Sequence, residues 1–507
     1  MQRVNADQSL LPLYDTAATR RLEASAATHC PPHTLMRRAG WAVARLSQAL
    51  APHARTVWIV CGAGNNGGDG LEAAMHLRQA GRQVVVTWLG TPESAPADAR
   101  QSWERARGAG VVWAESPPQD LGADDLCIDA LLGIGLAATP RQSPHTTQLQ
   151  SLLEALHRSK APVLCVDVPS GLLADTGQFA EGFAPSTAVP HSHRHTLSLL
   201  TLHPGLFTAA GRDAAGTVWF DDLAVDSSTE QPIAWLSAPP TATGRAHNSH
   251  KGSYGDVAVV GGEGLQRRGM GMTGAALLAT SASLHAGAGR VMLSLLDDGA
   301  MALDALQPEC MVRRFDALAL NQLTVVCGCG GGEAVREVIP DVLAHAARLV
   351  LDADALNAVA ADPAFQKGLT DRAQAGLPTV LTPHPLEAAR LLGATTAAVQ
   401  ADRLGAASRL AQQFQCTVVL KGSGSVIATP GHKPHINTTG NARLATGGTG
   451  DVLAGLIGAY LAAAENHTQA PFAAALHACW QHGKAADDWP AHEPLTASAL
   501  ARRLLPT

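Results

Sequence analysis

Short β-branched runs alternate with amphipathic helical patterns through most of this chain, and that alternation limits the fold more tightly than any other feature. In the first half it reads as strands at Thr56 to Cys61, Val84 to Trp88, Leu126 to Asp129, Val163 to Asp167, Leu197 to Leu202 and Thr217 to Phe220, with helices after Gly70 and near Leu149 to His157. Strands separated by helices pair in parallel, because a parallel partner is reached only through a crossover. The segment from Ala224 to Arg245 turns to Asp, Ser, Thr and Pro and carries Pro239-Pro240, which reads as a linker at residues 229–244. The alternation restarts at Asp256 to Gly261, with a helix from Thr273 to Ala286, strands at Val291, Thr324, Arg348, Pro378 and Thr417, and a long helix beginning near Asp451. Two α/β domains are therefore expected, over residues 1–228 and 245–507, and neither is an obvious copy of the other.

Composition narrows the function classes. Hydrophobic residues make up 46% and charged ones 16%, too apolar for a disordered chain. The formal charge of -6 offers no basic footprint for nucleic acid or for an anionic membrane, so phosphate binding has to be local. The nine cysteines are odd in number and several lie inside apolar runs such as Leu164-Cys165-Val166, as in a reducing compartment. Cys327-Gly-Cys329 lacks zinc spacing and reads as structural. Asp7, Asp15 and Glu23 interrupt the first thirty residues, and no run of about eighteen apolar residues occurs, so a soluble cytoplasmic protein is expected.

The strand Val57 to Val60 runs into Cys61-Gly-Ala-Gly-Asn-Asn-Gly-Gly-Asp69-Gly70. A strand, a glycine turn and a helix N-terminus together suit an anion, because bare amides approach it and glycine permits positive φ. Two further motifs fall at strand ends, Asp129-Ala-Leu-Leu-Gly-Ile-Gly135-Leu136 and Asp167-Val-Pro-Ser170-Gly171-Leu172. Carboxylates there point into the crevice where open α/β sheets bind ligands. Each Asp read alone is as well explained as a helix cap, and three such motifs in succession favour a site. His191, His193 and His195 alternate in a polar loop without carboxylate or cysteine partners and do not read as a metal centre.

These motifs resemble the NAD(P)HX epimerase family over roughly residues 10 to 225, a Rossmann-like α/β sandwich. The resemblance implies that Asn65, Asn66, Gly67, Gly68 and Asp69, with a second loop of Gly133, Ile134, Gly135, Leu136, Ala137, Ala138 and Thr139, hold hydrated NADH or NADPH. It also implies that Asn66, Asp129 and Ser170 ligate potassium and that Asp167 contacts the substrate. An all-oxygen donor set suits a hard cation. Inversion of a carbon bearing a hydroxyl and a ring nitrogen needs acid/base chemistry rather than a redox group, and Asp167 is the candidate. Ile134 between the glycines and His203 before Pro204-Gly205 depart from the commoner family sequence.

In the second half, Ala445-Thr-Gly-Gly-Thr449-Gly450-Asp451 opens a helix, so free amides and the positive helix end surround a carboxylate. Upstream stand His250-Lys251-Gly252-Ser253-Tyr254-Gly255, Met272-Thr273-Gly274-Ala275-Ala276, Cys327 to Gly332, Leu351-Asp352-Ala-Asp354-Ala-Leu-Asn357, Leu381-Thr382-Pro383-His384-Pro385 and Lys421-Gly422-Ser423. In this order they resemble the NAD(P)HX dehydratases, a carbohydrate-kinase branch of the ribokinase-like fold, over roughly residues 245 to 505. The resemblance implies substrate near Ala275, Gly330, His384 and Asp451, and an adenine nucleotide near Lys421, Gly422, Ser423, Gly424, Ser425 and Gly450. Asp451 would be the base, magnesium would bridge the phosphates, and ADP, with ATP as the alternative, would donate the phosphoryl group. Arg443, Met272 and Leu386 depart from the usual family residues and bear on nucleotide and substrate contacts.

The expected protein is thus bifunctional, takes NADHX, NADPHX and an adenine nucleotide, and forms a homo-oligomer with no nucleic-acid or membrane partner. Two other readings compete. A ribokinase-like kinase for a vitamin precursor would share the Gly-Thr-Gly-Asp hole and retain a phosphorylated product. A non-catalytic first domain would need none of Asn66, Asp129, Asp167 and Ser170.

Overall fold

Two mainly parallel sheets realise the alternation, and their strand ends set where polar side chains can gather. The computed structural model describes residues 1–139, 146–186, 193–241, 244–296, 301–464 and 469–506. The chain divides into a first unit of Met1–Asn5 and Pro12–Ala234 and a second of Ala6–Leu11 and Trp235–Thr507. Among the described residues, no helix is long and apolar enough to cross a membrane.

In the first unit the strands run in the order Gln2–Arg3, Thr217–Asp221, Arg194–Leu199, Val163–Val166, Leu126–Ala130, Thr56–Cys61, Gln83–Trp88 and Val112–Trp113. Gln2–Arg3 pairs antiparallel and the other neighbours pair parallel. The period of two along a strand sends Val57, Ile59 and Cys61 to a core with Leu22, Val43 and Leu71. Trp58 and Val60 pack on the other face with Leu152, Leu153 and Leu156. Helices therefore cover both faces, as a buried parallel sheet requires. Thr16–His29 and Thr34–Leu50 precede the first parallel strand, and Asp15 caps the former by accepting the Ala18 amide at 2.7 Å.

In the second unit the order is Met311–Val312, Arg290–Leu296, Asp256–Glu263, Thr324–Cys327, Arg348–Leu351, Thr379–Leu381, Thr417–Leu420, Val426–Ala428 and His435–Ile436. Pairing is parallel as far as Thr417–Leu420 and antiparallel through the next two strands. Val257 and Val259 pack with Ala279, Val452 and Leu456, whereas Ala258 and Val260 pack with Ile339, Leu356 and Leu410. The helix Thr449–Ala463 lies so close to Thr273–His285 that a Cβ on Gly455 would stand 2.1 Å from the Ala279 carbonyl oxygen.

Five local expectations change. The first-half helix starts at Asn65, not after Gly70, so Asn65 to Asp69 form its opening turns. None of Gly62, Gly64, Gly67, Gly68 and Gly70 adopts positive φ; several of them remove side chains where segments touch. A Cβ on Gly62 would sit 1.9 Å from the Leu131 oxygen, and one on Gly67 1.9 Å from the Gly62 oxygen. The strand expected over Leu197 to Leu202 spans Arg194–Leu199, because Leu200 turns to φ 67 and leaves the extended region. Asp167, expected inside its strand, follows it at φ 68. Within the expected linker, Ala234–Leu236 is a strand whose Trp235 and Leu236 pair with His435 and Ile436.

Gly67→Ala should lower stability by about 1–3 kcal/mol, since backbone has to move to admit the methyl. Gly64→Ala meets nothing within 4 Å at negative φ and should stay within about 0.5 kcal/mol of the parent. Urea unfolding of the full chain checks the pair, and equal losses would refute the packing argument.

Candidate active sites

In the first unit the ends of five parallel strands and the helix Thr16–His29 line a cavity of about 1010 Å³. Asn65, Asn66, Asp69, Gly133, Ile134, Gly135, Leu136, Ala137 and Asp167 lie on its wall. Gly67 and Gly68 are buried in helix packing beside it, and Ala138 and Thr139 lie beyond the wall, where the Ala138 carbonyl accepts the Glu181 amide at 3.0 Å. Asp129 and Ser170 are buried just behind it. The Ser170 hydroxyl donates to Asp129 Oδ1 at 2.6 Å, its amide to Oδ2 at 3.0 Å, and the Leu132 amide donates to Ser170 Oγ at 2.8 Å. Asn66 packs against Gly133, and both polar atoms of its side chain are buried without a partner. An orphaned amide oxygen near the loop that holds Asp129 and Ser170 is a donor set for a hard cation.

The cavity is acidic. Burial first, then Asp167 and Glu23, push the Asp69 carboxyl well above the usual carboxylate range. Burial also pushes Asp167 up, while His203 and the amides of Leu199 and Ile134 pull it back. Glu23 and Arg20, from a helix that carried no motif, stand on the same wall. So do His33 and Asp98. His33 has φ 67 and lies 3.4 Å from Glu72, a fully buried carboxylate held by Arg105 at 2.9 Å. Of the three alternating histidines, His191 lies outside the described residues.

In the second unit Asp451 lies in the first turn of Thr449–Ala463, with Gly448 at φ 91 as the N-cap. Asp352, directly after the strand Arg348–Leu351 and 2% exposed, accepts Lys421 Nζ at 2.6 Å and the Thr382 hydroxyl at 2.7 Å. Lys421 is an inward lysine: burial pulls its ammonium down, and Asp352 and Glu387 outweigh that and raise it. A Cβ on Gly450 would lie 3.5 Å from Lys421 Nζ, so the cation stands beside the helix start. Cys329 Sγ is 4.0 Å from Asp352 Oδ2, and Sγ and the Asp352 and Asp451 carboxylates lie within 4.8 Å of one another. Burial and then Asp352 push Asp451 up to about 6, against Cys329 and Lys421.

The other expected residues surround this center. Gly330, at φ 58, stands where a Cβ would meet the Met272 oxygen at 2.5 Å and Ala275 Cβ at 2.9 Å. His384 caps Pro385–Leu392: its Nδ1 accepts the Leu386 amide, and Glu387 Oε2 accepts the His384 amide at 2.8 Å. Burial, opposed by Lys421, leaves Glu387 at about 7. After Lys421 the chain turns through Gly422 at φ 140 and Gly424 at φ 63, with Ser423 between them and the Ser425 hydroxyl donating to the Gly422 carbonyl. The buried Arg403 donates to the Leu420, Lys421 and Gly424 carbonyls at 3.3, 3.3 and 3.4 Å and so fixes that turn from beneath.

The family description NAD(P)H-hydrate dehydratase matches residues 259–506, and the description YjeF-related protein N-terminus matches residues 32–205. The chain is 35% identical over 481 residues to the bifunctional NAD(P)H-hydrate repair enzyme Nnr of Escherichia coli (strain K12), covering 90% of this chain and 85% of that one. The chain belongs to the bifunctional NAD(P)H-hydrate repair enzymes. The Leishmania major repair enzyme is 33% identical over 502 residues, covering 89% of this chain and 84% of its own. A solved ADP/ATP-dependent NAD(P)H-hydrate dehydratase from Bacillus subtilis is similar at 30% identity, over 52% of this chain and 91% of that one, with a TM-score of 0.42. The family and the α/β fold class expected from the motifs hold for this repair enzyme.

Several site residues of the repair enzyme were not singled out from its sequence. Asp352 stood in a quoted motif without a role, although the strand-end argument applied to Asp129 and Asp167 selects it equally. Cys329, read as structural, turns its thiol to the two carboxylates of the site, and burial first, then Asp451 and Asp352, push it well above its usual range. Glu23 and Arg403 carried no motif, and each reads as one more charge on a helix.

Asp451 gives a test by stability. Its folded-state value near 6 exceeds that of an unfolded carboxyl, so its favourable contribution is complete below about 4 and is lost as pH rises through 6. Asp451→Asn resembles the protonated form at every pH. It should melt above the parent at pH 8, with the gap closing as pH falls through 6 toward 4. A gap independent of pH would show that the carboxylate is not desolvated.

Proposed function

We propose that the first unit inverts the hydroxyl-bearing carbon of hydrated NADH or NADPH, and that the second dehydrates the S epimer with ADP, or alternatively ATP, as phosphoryl donor. Asp451 carries the reading for the second unit: a carboxylate near its working pH, at a helix start beside an inward lysine, in a chain whose relatives are named for repair of NAD(P)H hydrates. Asp451 takes the proton of the substrate hydroxyl as that oxygen attacks the terminal phosphoryl group. The amides of Gly448, Thr449 and Gly450 and the Lys421 ammonium meet the charge that develops. The hydroxyl becomes a phosphate leaving group, and the ring nitrogen's lone pair then expels it.

Lys421 to Ser425 and Gly450 would hold the nucleotide, and Ala275, Gly330 and His384 the substrate. A magnesium ion would supply charge neutralisation along the nucleotide phosphates. In the first unit Asn66, Asp129 and Ser170 would hold potassium, which supplies a fixed positive charge for a substrate oxygen. The orphaned Asn66 side chain supports that assignment. Asp167 is the acid/base group there. We place the enzyme in the cytoplasm as a homo-oligomer acting on small molecules, in keeping with nine free thiols and a net charge of -6.

Purified protein with mixed epimers of hydrated NADH, magnesium, potassium and ADP or ATP should restore reduced-nicotinamide absorbance; no recovery with either nucleotide would refute the proposal. Dehydration should fall about tenfold per unit as pH drops below 6, where Asp451 is protonated. Asp451→Asn should lose about a hundred- to ten-thousandfold in dehydration while epimer exchange continues. Asp167→Asn and removal of potassium should do the converse, and a parental profile in either would remove that assignment.

A further inference from the structure

Four carboxylates converge on the first cavity from four separate elements: Glu23 from the helix Thr16–His29, Asp69 from Asn65–Gln79, Asp98 from Ala97–Gly108, and Asp167 from a strand end. Only Asp69 and Asp167 belong to motifs. We propose that Glu23 is the proton donor of the epimerisation, paired with Asp167 as proton acceptor, and that inversion proceeds by loss of the hydroxyl as water and addition of a second water to the opposite face. The proposal rests on the epimerase reading above and specifies its mechanism.

The two groups differ in the way the roles require. Burial pushes Asp167 up, but His203 and the amides of Leu199 and Ile134 pull it back toward the anion. For Glu23 burial first, then the like charges of Asp167 and Asp98, favour the neutral acid, with Arg20 as the one counter-charge. Apolar neighbours on the same wall, Leu132, Ile134, Leu136 and Leu199, act in the same direction. Carboxyls sharing a confined space divide into one acid and one base, because they do not all ionise together.

The atoms balance. Glu23 gives its proton to the substrate hydroxyl; the carbon–oxygen bond breaks as the ring nitrogen's lone pair forms a carbon–nitrogen double bond, and water leaves. A second water attacks the other face, its proton passes to Asp167, and the electron pair returns to nitrogen. One water is lost and one gained, with no oxidant or nucleotide consumed, and the proton taken by Asp167 returns to Glu23 through solvent before the next turnover. The intermediate is a cation, which an acidic wall stabilises where it would repel a pyrophosphate, so the carboxylates mark the nicotinamide end of the cavity.

The test uses the full chain with one purified epimer of hydrated NADH, potassium and no nucleotide, in water enriched in oxygen-18. Epimers are separated chromatographically and weighed, after subtraction of the enzyme-free rate. Each inversion catalysed by the parent should introduce one heavy oxygen. Glu23→Gln should slow exchange by about a hundredfold or more. Glu23 stands on the cavity wall and outside the hydrophobic core, so the variant should melt with the parent. Inversion with the original oxygen retained would mean that the ring opens and recloses, and would overturn the proposal. So would parental exchange in Glu23→Gln, or loss in Asp69→Asn with none in Glu23→Gln, which would make Asp69 the donor. Parental exchange in Asp167→Asn would remove Asp167 as the acceptor and this mechanism with it, whereas no exchange by the parent above the enzyme-free rate would remove the epimerase reading itself.

Discussion

A parallel sheet covered by helices on both faces makes an unpaired charge on its strands costly, and the chemistry of both units follows from that constraint. Burying a charge without a partner costs several kcal/mol, so carboxylates and ammonium groups collect where strands stop and backbone amides become free. Asp167 follows Val163–Val166, Asp352 follows Arg348–Leu351, and Lys421 follows Thr417–Leu420. Asp129 stands one residue before its strand ends, held by Ser170. The same ends are where helices begin, so each site receives helix N-termini, at Asn65 in one unit and Thr449 in the other.

The units use this frame with opposite electrostatics. In the second, Lys421 cancels Asp352, and Asp451 keeps a value near 6, low enough to be ionised at neutral pH and basic enough to take a proton. In the first, burial raises Asp69, Asp167 and Glu23, and the charge of Asp167 adds to the rise of the other two, which favours neutral acid groups and a passing positive charge. A phosphoryl transfer and an inversion at a carbon next to nitrogen call for those two opposite environments.

Much of this was legible in the sequence, for identifiable reasons. Strand positions followed β-branched runs, and the misplaced end at Leu200 depended on a left-handed residue that composition does not announce. The glycines between Cys61 and Gly70 were visible but misread: they permit Gly62, Leu131 and Gly67 to touch rather than bending the chain at positive φ. Asp451 and Asp167 were legible because glycines and strand ends flank them. Glu23, Cys329 and Arg403 were not, since each meets groups distant in sequence, and local patterns carry no record of such meetings.

The division of the chain bears on how it can be cut. Ala6–Leu11 belongs with the second unit although Met1–Asn5 and Pro12–Ala234 form the first, and the Trp480 indole donates to the Ala6 carbonyl at 3.2 Å. A fragment starting at Trp235 therefore lacks a piece of its own unit, and a fragment ending at Ala234 carries six residues severed from theirs. Genes for the two activities are not obtained here by dividing the reading frame once; a separable second half needs that short stretch supplied again, as a graft or a rejoined terminus.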